Sequence, residues 1–417
     1  GNVDLIKISF RAKGLAGISE FTILPSSALE EWPNAFGIPF EITGGASVNF
    51  GSIVTNTKST SDVADDVSYC NLEVAVAQAA VLGGDTLRAD ANFTQNKTVN
   101  INKALTLDTN GKTISRTNAN SLSYVFLVQP GGDLTITGGG TITTSGGTAV
   151  QITGDANTLA KVTLQDATLY GPLFSVAIVG NTTATYQDTA NKSLFVMTGG
   201  HTNETVMVQG NGAEAEITGG TLTGATPIMG NGNASSGGTK ITVGGDATVG
   251  SPTLGWAAIF HPQEGLLTIN GGTIQGNNGI EMAAGDLVVT GGTIQGYGAC
   301  VEPVWTAADG STNTGDAILI LHQDGYGVGD AMNVTISGEP TIESTSCYAL
   351  REVTIDGGTE PIETSTLNLA AISGGHFTGL PAAVSFTIVS DDNLDLTAGD
   401  YIPEPIAYVD PDYWTSV

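Results

Sequence analysis

Two stretches, LLTINGGTIQG (Leu266–Gly276) and LVVTGGTIQG (Leu287–Gly296), are near copies of one unit. Their glycine pairs begin at Gly271 and Gly291, 20 residues apart. In each unit an alternating tract comes first, then Gly-Gly, then Thr and a branched apolar residue. Alternation places Leu and Ile on one side of a strand and Thr on the other. A glycine pair supplies the positive φ needed where the chain bends between two strands. A 20-residue unit of this kind cannot bury its apolar side alone, so the pattern predicts neighbours stacked above and below it.

Working outward, related units recur as AEITGGTLTG (Ala215–Gly224), KITVGGDATVG (Lys240–Gly250), NVTISGEPTIES (Asn333–Ser344) and EVTIDGGTEPIE (Glu352–Glu363). A gap of 47 residues separates Gly291 from Gly338 and contains its own strand candidate, AILIL (Ala317–Leu321), so two coils are expected within it. Leucine-rich repeats and calcium-binding GGxGxD nonapeptides are absent, and the 20-residue copies are too short for propeller blades. The expected fold is all-β: a right-handed parallel β-helix, or solenoid, with an N-terminal capping helix and a small β-rich N-terminal appendage.

The expected organisation is a β-rich appendage over 1–65, a capping helix and first strand over 66–97, the β-helix over 98–385 and a C-terminal cap or tail over 386–417. In the appendage, Leu5–Gly14 alternates as a strand, and ISEFTIL and SVNFGSIV are further candidates. NLEVAVAQAAVLG, residues 71–83, reads as the main helix, capped by Asn71 and ended by Gly83-Gly84. The tail, Asp391–Trp414, contains prolines that oppose a central strand.

The alanine-rich helix, GGDTL, TVNINKALTLDTNGKTI, the ITGGTI-like units and AAISGGHFTG (Ala370–Gly379) together resemble the pectate-lyase-like β-helix domains of bacterial, gut-type surface proteins. The resemblance covers about residues 70 to 385. It implies the parallel β-helix and an exported or surface-attached protein, with adhesin-like members and some carbohydrate-active enzymes. The paired aspartates of polygalacturonase-type members are not found in this chain.

Composition narrows the partners. With 13 basic and 41 acidic residues, the formal net charge is -28. Phosphate recognition needs a basic footprint, so nucleic acid is not an expected partner. An anionic membrane surface is disfavoured for the same reason. No apolar stretch reaches membrane-spanning length, so direct membrane insertion of these residues is not expected. Cys70, Cys300 and Cys347 form no disulfide framework; small buried hydrophobes are the expected state, with a Cys300–Cys347 bridge the less favoured one.

Catalytic signals are weak. A lyase of the pectate-lyase type requires basic groups beside bound calcium, yet Lys161, Lys192, Lys240 and Arg351 are the only Lys or Arg residues beyond position 117, and they are widely spaced. A hydrolase requires two placed carboxylates. Among Glu264, Glu281, Asp286, Glu302, Asp309, Asp316 and Asp324, the weak candidates are Glu281 and Glu302, at similar offsets after successive glycine pairs. Ordinary surface repetition explains that spacing equally and is the preferred reading. His201, His261, His322 and His376 lack metal-ligand spacing, HPQEG at His261 reads as a turn entry, and neither metal nor cofactor is expected.

Recognition has better support. The stretch Val301–Asp316 reads as an insertion projecting from the rod, and Trp256, Tyr297, Trp305 and Tyr326 are candidate aromatic platforms for sugars. The expected function is an extracellular or cell-surface structural, adhesin-like protein that binds a glycan or another host or cell-surface polymer. The alternatives are a β-helical polysaccharide hydrolase or lyase, and a passive stalk.

Overall fold

A computed structural model describes residues 17–22, 45–58, 63–80, 84–117, 120, 122–183, 185, 188–231, 237–301, 310–323, 332–355, 372–379 and 394–395. The fold is all-β, with most strands in parallel sheets of 10 and 20 strands. Three stacks of parallel strands run through these sheets. The first includes Ala104–Asp108, Asp133–Thr137 and Ala160–Leu164. The second includes Thr113–Arg116, Thr141–Thr144 and Thr168–Tyr170. The third runs from Val99–Ile101 to Leu350–Ile355 as the 10-stranded sheet. The chain visits the three stacks in turn and pairs each strand with its counterpart one pass earlier. This arrangement is compatible with a β-helix.

Register explains the sequence pattern residue by residue. In the first stack, Leu105, Leu134, Val162, Phe195, Ala215, Ile241, Leu267, Leu287 and Val334 are successive Cα partners. All are buried in one continuous core. The next position outward reads Thr106, Thr135, Thr163, Val196, Glu216, Thr242, Thr268, Val288 and Thr335. The second stack repeats the arrangement. Its outward row comprises Thr113, Thr141, Thr168, His201, Thr221, Thr248, Thr273, Thr293, Thr341 and His376. Burying a Leu, Ile or Val side chain contributes about 1.5–3 kcal/mol. Here the buried side chains of successive passes and of all three stacks join one core.

The glycine pairs sit where one strand leaves the first stack and enters the second. Strands Gly265–Gly276 and Asp286–Gly296 belong to both stacks, and their pairing slips in register at the glycines. Gly272 and Gly292 have φ of +78° and +87°. A Cβ on Gly292 lies 2.7 Å from the Gly271 carbonyl oxygen, so backbone conformation and neighbour contact both demand glycine.

Several expectations need correction. The gap between Gly291 and Gly338 holds one pass, not two coils: Leu287 pairs directly with Val334 and Thr293 with Thr341. The expected second coil is instead the third-stack strand Ile318–Gln323 together with an insertion. The helix is also shorter than expected, Leu72–Gln78, although Asn71 caps it by accepting the Val74 amide. Asp85 accepts the Ala80 amide and Lys103 donates to the Ala79 carbonyl, which satisfies the chain after one extended residue, Ala79. Leu72, Ala75 and Val76 join the core beside Val99–Ile101. In the first 65 residues, Gly17–Thr22 pairs antiparallel with Gly45–Phe50. The strand expected over 5–14 lies outside the described residues.

One interior position breaks the rule. Thr202 occupies the row of Ile142, Leu169, Leu222 and Val249, fully buried, and its hydroxyl has no hydrogen-bond partner. Replacing that hydroxyl by a methyl group removes a desolvated polar atom without changing shape. Chemical denaturation should therefore show Thr202→Val stabilised by about 1 kcal/mol. Gly292→Ala should lose about 2 kcal/mol from its left-handed backbone and the crowded carbonyl.

Candidate functional site

The third stack departs from the other two on its outward side. There Phe260, Glu281, Leu319 and Arg351 are successive partners in strands Ile259–His261, Ile280–Met282, Ile318–Gln323 and Leu350–Ile355. Their strand neighbours Ile259, Ile280, Ile318 and Leu350 belong to the interior core. Phe260 packs in a separate cluster with Ala283, and Leu319 in another with Leu321. The row therefore points away from the core, yet all four side chains are buried.

Residues 310–316 help to make this burial possible by folding back over the stack. The Ala257 amide donates to the Gly310 carbonyl at 2.9 Å. Gly310, at φ +79°, lies so close to Phe260 that an added Cβ stands 2.9 Å from the phenylalanine Cβ. Asn278 pins the middle: its Nδ2 donates to the Thr312 carbonyl at 2.5 Å, and its Oδ1 accepts the Thr314 and Gly315 amides at 3.0 and 2.8 Å. At the far end, Asp316 Oδ2 accepts the Thr314 hydroxyl at 2.5 Å and Oδ1 accepts the Tyr348 amide at 3.1 Å. This part of the expected insertion does not project, because its Gly310, Thr312, Thr314, Gly315 and Asp316 groups are bonded to Ala257, Asn278 and Tyr348 of the stack.

Asp316 also meets Arg351, with Nη1 3.8 Å from Oδ2 and both side chains buried. The guanidinium lies 5.0 Å from the Tyr348 ring centroid and donates to the Val301 carbonyl at 3.4 Å. Arg351 is thus a buried structural cation. Beside it, Cys300 and Cys347 are joined by a disulfide across a sequence separation of 47, correcting the expectation of free buried thiols. Sequence spacing could not reveal this, because the pass between the two cysteines carries a long insertion whose return path is set by tertiary packing.

Glu281 is the chemically unusual member of the row. It is completely buried between Phe260 and Leu319, and neither carboxylate oxygen has a hydrogen-bond partner. Burial pushes its pKa up to about 8; the nearby Thr312 hydroxyl and amide pull the other way without reaching hydrogen-bonding geometry. At neutral pH Glu281 is therefore mainly an uncharged acid. The preferred reading of this residue as ordinary surface repetition is overturned. Its counterpart Glu302 lies outside the described residues.

A second buried polar group stands at the end of strand Ile259–His261. His261 is fully enclosed, its Nδ1 lies 3.0 Å from the Ala284 carbonyl, and its Nε2 has no partner. Desolvation lowers its pKa, which keeps the ring neutral and Nδ1 the donor. Gln263 is also buried and donates to Thr239 Oγ1 at 3.1 Å. The turn that begins at HPQEG is packed at His261, Pro262 and Gln263, which are buried. Among the described residues, no three His, Cys, Asp or Glu side chains gather as a metal site.

Of the aromatic candidates, Trp256 is 38% exposed, and Tyr297 is half-buried with its hydroxyl donating to Gln295 Oε1 at 3.0 Å. Their backbones bond the same intervening pass from either side. The Trp256 carbonyl accepts the Asn277 amide, and the Gly276 carbonyl accepts the Tyr297 amide. Trp305 and Tyr326 lie outside the described residues. An open depression of about 470 Å³ at another edge is lined by Lys240, Glu264, Leu266 and Asp286.

Sequence reasoning missed Asn278, which it had no reason to separate from an ordinary turn asparagine. The one available signal was the Thr-Asn-Thr-Gly-Asp run at 312–316, a dense set of groups suited to closing a turn. Comparison of the chain with protein-family models, curated proteins and solved structures finds no match.

Truncating Asn278 strips the partners from two buried amides and one carbonyl. Asn278→Ala should cost about 3 kcal/mol in chemical denaturation, with the loss of hydrogen-exchange protection concentrated at 310–316.

Proposed function

We propose that the stacked sheets form a right-handed parallel β-helix of the pectate-lyase-like kind. In this reading it acts as an extracellular or cell-surface rod that recognises a glycan or other surface polymer. Right-handedness follows the general rule for parallel crossovers. The supporting observation for recognition is the corner where Trp256, partly exposed, and Tyr297 flank the Gly276–Asn277 turn of the pass between them, just after the paired Gln275 and Gln295. An aromatic face beside hydroxyl and amide groups suits the mixed apolar and polar surface of a sugar. The Cys300–Cys347 bridge supports an oxidising compartment, and the net charge of -28 favours neutral over anionic polymers.

A polysaccharide-cleaving enzyme is the second reading, favoured by one observation: Glu281 is a neutral acid near pH 7, the state required of a general acid. Its enclosure beneath residues 310–316 weighs against that role in the closed structure.

Glycan and mucin arrays should retain the protein without releasing new reducing ends or unsaturated uronate, and Trp256→Ala should weaken retention at least about tenfold. No retention across broad panels counts against recognition and leaves a passive stalk. Product formation that disappears in Glu281→Gln transfers support to the enzyme.

A further inference from the structure

We propose that residues 310–316 are a pH-responsive cover, closed while Glu281 is uncharged and released when Glu281 ionises, so that Phe260 and Glu281 become accessible.

The geometry has three parts. The covered surface is apolar on both sides of Glu281, with Phe260 one pass before and Leu319 one pass after. A charge placed there has no compensating hydrogen bond, because both carboxylate oxygens lack partners. The cover is attached by polar contacts: the Gly310 carbonyl to Ala257, Thr312–Gly315 to Asn278, the Thr314 carbonyl to Val301, the Gly315 carbonyl to Ser344, and Asp316 to Gly279, Arg351 and Tyr348. Lifting 310–315 breaks the contacts to Ala257, Asn278, Val301 and Ser344 and admits water to Glu281. The strands beneath remain paired through their own backbones.

The charged and titratable groups around the cover give Glu281 no substitute partner. Asp316 and Arg351 are engaged with each other, and Tyr348 lies against the guanidinium. Glu352, next to Arg351, pairs through its backbone with Ile320. His261 follows Phe260 in its strand, pairs with Met282, and directs Nδ1 to Ala284. None of these is a cause of the Glu281 shift, which arises from desolvation opposed by Thr312. The disulfide at Cys300 and Cys347 keeps the base of the insertion tied to the stack when the cover moves.

The sign follows from proton binding. The closed form holds the Glu281 proton up to a pKa of about 8, whereas a solvated glutamate releases it near 4.5. Opening therefore releases a proton between these values, and rising pH favours it by up to about tenfold per unit. Below this window both forms are protonated; above it both are ionised. In each limit the opening equilibrium levels off.

Hydrogen exchange in the full chain tests this, read at the Thr314 and Gly315 amides held by Asn278 and corrected for intrinsic pH dependence. In the wild type, protection should fall about tenfold per unit from about pH 5 to 8 and then flatten. Glu281→Gln should give a flat profile, and interior amides of the first stack should keep their protection in both proteins. A flat wild-type profile overturns the proposal by itself, even if the variant does not fold. An equal slope in Glu281→Gln also overturns it, because another group would then be titrating.

Discussion

Parallel pairing between successive passes is the constraint on which the structure depends. A strand at the surface of one pass has backbone donors and acceptors on both edges, and only the passes above and below can satisfy them in register. Leu134 is thereby held between Leu105 and Val162, and Thr135 between Thr106 and Thr163. A slip of one residue sends the apolar set outward and the threonines inward. The same pairing makes the core continuous, which explains how strands of only three residues, such as Ile259–His261 and Ile280–Met282, persist.

Glycine serves this constraint at specific bends. In the passes of Gly265–Gly276 and Asp286–Gly296 the change from the first to the second stack occurs within one long strand, so the chain must turn without losing its pairing. Gly272 and Gly292 accomplish this in left-handed conformations, with neighbouring backbones too close for a side chain. The turn into the third stack is less regular. Insertions are accommodated there, and one returns over the outward face against Phe260 and Glu281.

That returned segment changes the chemistry of the residues below it. On an open strand Glu281 is an ordinary solvated carboxylate; beneath residues 310–316 it is an acid held against its charged form. Arg351, in the same row, is instead met by partners: Asp316, the Tyr348 ring and the Val301 carbonyl. The contrast shows how little burial alone says about a charged side chain. Partners decide what burial costs, and two of those Arg351 finds, Asp316 and the Val301 carbonyl, come from the insertion rather than from the repeat.

Local alternation and the glycine pairs were enough for the sequence to specify an all-β chain with stacked repeats, because both are properties of a few adjacent residues. Leu266–Gly276 and Leu287–Gly296 display them directly, and their predicted interior and exterior positions agree with the pairing. The Asn71 helix cap was legible for the same reason. The candidate site was not. Glu281 has the local pattern of an exposed strand residue, and Asn278, Asp316 and Arg351 share no motif. Cys300 and Cys347 are separated by a pass of irregular length. Only the tertiary structure decided their roles, since burial, pKa and disulfide pairing depend on which distant segment comes to lie on a given strand.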